Sequence, residues 1–144
     1  MIKKTILNSG SRVLLAHFYF SNDGEDKELN NHNLINPQDY DPFADVLADP
    51  KTKLIICQVW HSFSDFDGLL SFDYTSPVPS WNLTSSTGPH VDFRHFGGLA
   101  DRYQPEQGDG ATDRTGVVLF TTKGFAEAGA KGTMIIEFKK SKVA

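Results

Sequence analysis

A single cysteine among 144 residues excludes an intrachain disulfide and a cysteine-framed zinc site. Cys57 lies inside KLIICQVW, where the expected role is that of a small buried apolar residue. Methionine is also scarce, with two residues against eleven phenylalanines, a balance that favours a sheet core over a helix bundle. No apolar run approaches the length needed to span a bilayer, so no membrane partner is expected. The opening MIKKTILNSGSR holds only a short apolar stretch, too little for a signal-peptide core, and the expectation is folding in a reducing cytoplasm. Positive charge is in deficit: 14 Lys and Arg against 18 Asp and Glu leave a formal charge of −4. A general nucleic-acid binder needs a basic face to displace counterions, so nucleic acid is not an expected partner. The basic residues that do cluster, Lys139, Lys140 and Lys142 at one end and Lys3 and Lys4 at the other, read as solubilising strand ends.

What is present is ordinary globular material, 39% hydrophobic and 12% aromatic, enough for one domain with its own core. Alternation marks the strands. Residues 11–21 place Leu14, Ala16, Phe18 and Phe20 on one face and Val13, Leu15, His17 and Tyr19 on the other. Both faces are largely apolar, which predicts a strand covered on two sides, by its own chain or by another subunit. Residues 53–61 alternate Leu54, Ile56, Gln58 and Trp60 against Ile55, Cys57, Val59 and His61. FSDFDG at 63–68 predicts a turn, with 69–74 returning as the second strand of a hairpin. A short strand is expected near 89–93, and TGVVLFTT at 115–122 and GTMIIEFKKS at 132–141 read as paired strands. The expected fold is all-β: a single antiparallel β-sandwich, jelly-roll-like, with Leu14, Phe18, Ile56, Trp60, Leu119, Ile136 and Phe138 in its core.

Between Asn22 and Pro50 the composition turns to Asp, Asn, Glu and Pro, with Asp41 and Pro42 placed to open a helical turn. A connection this long is either an arm that reaches a neighbouring subunit or an excursion packed on its own sheet. If it is an arm, replacing Asn30–Asp49 by a short linker should leave the sheets folded. A second loop spans 101–114.

Three histidines and an aspartate raise the question of a metal: His90, Asp92 and His95, with His61 on another strand. In an extended segment His90 and Asp92 share a face while His95 points the other way, so no metal site and no cofactor is expected. Asp92 reads better as an acceptor that fixes the glycine corner at Gly97 and Gly98. Asp65, Asp67 and Asp73 surround a turn instead of converging from separate elements, and so form no glycosidase pair. With no phosphate loop and no nucleophile elbow either, no catalytic residue is assigned. The aromatics Trp60, Tyr74, Trp81 and Tyr103 leave a carbohydrate platform open as an alternative, with Trp81 the exposed one.

The motifs HVDFRHFGGL at 90–99, TGVVLFTT and GTMIIEFKKS occur in an order that resembles the C-terminal half of a family of small bacteriophage virion proteins, over roughly Lys53 to Lys140. The resemblance implies a particle component located in the virion: a capsid decoration or cement protein, or a neck or tail part. Its partners would then be the major capsid protein or other virion proteins, and a homo-oligomer, for which a trimer is the guess, would be expected. On that reading Leu34, Tyr40, Phe43, Trp81 and Tyr103 are the candidate interface residues.

Overall fold

Strand-forming runs separated by turn residues produce nine strands in the computed structural model, which describes residues 1–40, 52–72, 80–84, 88–99 and 117–142. They are β1 (Ile2–Ser9), β2 (Val13–Ser21), β3 (His32–Ile35), β4 (Thr52–Ser64), β5 (Asp67–Phe72), β6 (Ser80–Leu83), β7 (His90–Asp92), β8 (Val118–Lys123) and β9 (Lys131–Lys142). Two 3-10 turns, Pro37–Tyr40 and Arg94–Phe96, are the other regular elements among the described residues. The strands form a five-stranded sheet in the order β1-β2-β9-β4-β7 and a four-stranded sheet in the order β3-β8-β5-β6, with every pairing antiparallel. Setting β1 aside as an added edge strand, β2-β9-β4-β7 opposite β3-β8-β5-β6 is the strand order of an eight-stranded jelly roll.

The core lies between the sheets. Leu14, Ala16, Phe18, Phe20, Ile56, Ile136 and Phe138 project from the larger sheet and Leu70, Phe72, Val118 and Phe120 from the smaller, all essentially without solvent exposure. Phe20 and Phe120 stack across the gap with centroids 5.0 Å apart, and Phe63, Phe66 and Phe125 extend the aromatic cluster at one end. Such ring contacts add to the burial of large apolar area. Leu119 is also buried.

Two expected pairings are corrected by this topology. Strand β5 does not return along β4 as a hairpin partner; it pairs β8 and β6 in the other sheet. Likewise β8 and β9 belong to different sheets, where β9 separates β2 from β4. The connections Asp65–Phe66 and 124–130 therefore carry the chain across the sandwich. They pack on each other: a Cβ on Gly124, whose φ is +95°, would lie 2.7 Å from the Asp65 carbonyl oxygen. A turn residue in the left-handed region pressed against backbone leaves room only for glycine. Phe66 and Phe125, buried beside these crossings, anchor both to the core.

Trp60 is corrected as well. Cys57 sits in a β-bulge, where the register against β9 shifts between Ile56 and Gln58. An extra residue reverses the facing of everything after it. Leu54 and Ile56 point inward before the bulge, Val59 and His61 after it, and Trp60 stands half-buried on the outer face.

The connection that opens at Asn22 is, over its described part, packed on its own sandwich. Asn22 donates from Nδ2 to the Phe125 carbonyl, and the Leu29 amide donates to Thr122 Oγ1 at 2.8 Å. β3 then pairs with β8, burying Leu34 and Ile35 in the core. Residues 41–50, including the expected helical turn at Asp41 and Pro42, lie outside the described residues.

Candidate functional site

The residues expected to meet a partner are dispersed by the fold. Leu34 is a correction: it is 5% exposed and belongs to the chain's own core, because β3 completes the smaller sheet. Tyr40 is half-buried against the core, with the Lys4 ammonium 5.5 Å from its ring centroid, a cation–π distance. Phe43 and Tyr103 lie outside the described residues, as do Tyr74 and Asp73. Trp81 on β6 is 37% exposed and stands edge-to-face on Phe93, with centroids 5.0 Å apart.

Phe96 joins it. The glycine corner expected at Gly97 and Gly98 gave no sign of Phe96, whose ring is 55% exposed and packs edge-to-face with Phe93 at 5.9 Å. Phe93 itself is fully buried. The three rings link the β6 edge of one sheet to the turn after β7 in the other. The signal available in the sequence was the spacing of Phe93 and Phe96, which a 3-10 turn brings to one side.

The candidate metal ligands are not brought together. His61 faces the core, whereas His90 faces outward on the neighbouring strand and its Nε2 lies 2.9 Å from Gln58 Oε1. Asp92 accepts the Arg94 amide at 2.9 Å and pairs with its guanidinium at 3.0 and 2.8 Å, so it does fix the corner before Gly97 and Gly98. The bonds from the Arg94 side chain, then from its amide, hold the Asp92 carboxyl well below the usual carboxylate range. Among the described residues no three His, Cys, Asp or Glu side chains are grouped to hold an ion. Asp65, in a left-handed turn conformation with φ 68°, and Asp67, opposite Lys123, sit at a sheet crossing as turn formers.

A groove of about 570 Å³ runs between β1 and residues 26–34, lined by Ile2, Lys4, Asp26, Glu28, His32 and Phe125 among others. Glu28 in its wall is already engaged: Oε1 accepts from Thr122 Oγ1 at 3.0 Å and the Phe125 amide at 2.7 Å, and Oε2 accepts from the Gly124 amide at 3.0 Å. Burial by itself would raise its pKa, but the bonds from Ala126, Thr122, Gly124 and Phe125 together outweigh it and lower the value. The carboxylate is a clasp for the β8–β9 crossing. Burial, reinforced by the nearby Glu137 charge, pushes the Cys57 thiol up, which makes it a poor nucleophile.

On the outer face of the larger sheet the Trp60 and His90 rings lie parallel, with centroids 5.1 Å apart at 9°. Gln58 beside them donates from Nε2 to Glu137 Oε1 at 3.2 Å. No protein-family model, curated protein or solved structure matches this chain.

Proposed function

We propose that this chain is a non-enzymatic structural protein of a bacteriophage particle: a head decoration or cement protein that binds across neighbouring subunits of the major capsid protein. The strand order carries the reading. β2-β9-β4-β7 opposite β3-β8-β5-β6 is the jelly roll, an architecture used by viral capsid domains. The step from fold to role is analogy, and the order of the motifs between Lys53 and Lys140 supports it independently of the fold. Cementing needs a rigid body and a surface that neighbouring capsomers can bury, so that internal pressure must break many contacts together.

Trp81 and Phe96 suit such a contact. Both are exposed aromatic rings whose orientation is set by the buried Phe93, so they lose little rotamer freedom on docking. The body would associate with copies of itself, a trimer being the expected form, while these rings meet the capsid.

Purified protein added to particles that lack it tests both parts. The expected result is saturable binding at a copy number matching the capsid lattice, weakened at least about tenfold by Trp81→Ala combined with Phe96→Ala while the circular dichroism stays β. A copy number of only a few would move the protein to the neck or tail. Absence of particle binding overturns the reading, and unchanged affinity in the double variant overturns the assigned contact.

A further inference from the structure

The bulge at Cys57 aligns side chains from all five strands of the larger sheet in one outward row: Thr5 on β1, His17 on β2, Ile135 on β9, Trp60 on β4 and His90 on β7. The adjacent row runs Leu15, Glu137, Gln58 and Asp92. Where the rows meet at Trp60, an aromatic surface borders a chain of polar groups. Gln58 is only 7% exposed and spans between Glu137 on one side, at 3.2 Å, and His90 on the other, at 2.9 Å.

The direction of these bonds is forced by their chemistry. A carboxylate only accepts, so Gln58 turns its amide nitrogen to Glu137 and its oxygen to His90. His90 must then carry a hydrogen on Nε2, which makes Nδ1 the acceptor of the neutral ring. Beside it the Asp92–Arg94 pair is closed on itself by bonds of 3.0 and 2.8 Å. A half-buried indole is thus flanked by a carboxylate, a primary amide and an imidazole, all held in place by protein bonds before any ligand arrives.

We propose that this face is a carbohydrate-binding site for a neutral sugar, with one pyranose ring against the Trp60 indole, whose other face the parallel His90 ring covers, and with its hydroxyls held by Glu137 and His90, which Gln58 positions. A pyranose has an apolar C–H face and a rim of hydroxyls that donate and accept. The first needs a flat π surface; the second needs planar side chains of fixed direction. Other occupants fit less well. A phosphate or an acidic sugar would meet the Glu137 charge, and an apolar peptide would bury that carboxylate with only its Gln58 bond to offset the lost water. A second copy packed face-to-face about a two-fold axis would bring the two Glu137 carboxylates toward one another in a desolvated centre. The inference stands apart from the particle reading, since the site is complete within one chain.

The chain has two tryptophans, so Trp81→Phe leaves Trp60 as its sole indole and its emission as a local probe. This variant and the wild type are titrated with cellohexaose, mannohexaose, galactohexaose and chitohexaose, followed by fluorescence and calorimetry. The expected result is saturable heat and a Trp60 emission change with at least one of the four. Trp60→Ala and Glu137→Gln should each weaken calorimetric affinity at least about tenfold with unaltered circular dichroism, and Trp60→Tyr should recover part of it. No saturable binding of any of the four by wild type overturns the proposal. Binding that survives both substitutions also overturns it, because the sugar is then held elsewhere. Self-association that depends on Trp60, with no sugar response, assigns the face to a second copy instead.

Discussion

His61 shows how one bulge sets the chemistry of a residue. It is 7% exposed, its Nε2 has no hydrogen-bond partner among the described residues, and its ring lies 5.1 Å from that of Phe63 in an apolar setting. Burial lowers its pKa below 6.5, with a backbone interaction at Gly88 acting the other way. The unfolded chain therefore binds a proton more readily than the folded one. The stabilisation from keeping His61 neutral is full above about pH 6.5 and is lost as pH falls through the lower folded value. Burial of His32 acts in the same direction. The urea midpoint should fall between about pH 7.5 and pH 5, and His61→Leu should flatten that fall. The depressed Glu28 and Asp92 carboxyls add a second loss only at lower pH, below their unfolded values. Facing also separates two aromatics that alternation alone would treat alike. Phe138→Ala, at a fully buried position, should cost about 3–5 kcal/mol in urea denaturation, whereas Trp60→Ala on the outer face should cost well under half of that.

At the scale of elements, the strands whose inner faces alternate cleanly were legible: β2 with Leu14, Ala16, Phe18 and Phe20 buried, and β9 with Met134, Ile136 and Phe138 buried. β1 was not, because it is an edge strand on which only Ile2 and Ile6 are withdrawn from solvent, and its lysines and polar residues mask the period. β3 was not either: four residues, HNLI, in a polar region carry too little pattern to announce a strand. Its placement changes the expected result of removing Asn30–Asp49. That deletion takes away the edge of the smaller sheet together with Leu34 and Ile35, so closure entropy is no longer the deciding quantity. A short linker in its place should broaden or abolish the cooperative thermal transition followed by circular dichroism. An intact transition at the wild-type temperature would show that β3 contributes nothing to the core.

For the whole molecule, the central pairing joins sequence extremes: Val13 lies opposite Lys139, and β9 holds β2 and β4 in one sheet. A chain truncated before Lys131 leaves β1–β2 and β4–β7 as separate pairs with an open apolar face, and should fail to fold, giving rapid proteolysis and no cooperative transition. Such non-local pairing also predicts refolding on the slow side for a domain of this size. The class of structure was already legible in the residues, because period-two alternation and a phenylalanine-rich core leave a two-layer β domain as the way to bury those faces. So was the corner at Asp92, since that residue bonds two positions along its own chain. Which strands are neighbours was decided only in three dimensions. Hairpin pairing and crossing to the opposite sheet start from similar turn signals, and Gly124 against Asp65, with Phe66 and Phe125 buried, selects the crossing. The outward placement of Trp60 beside His90, Gln58 and Glu137 was likewise a tertiary outcome. A bulge is a register shift between two strands distant in sequence, and no local pattern in β4 records where its partner will slip.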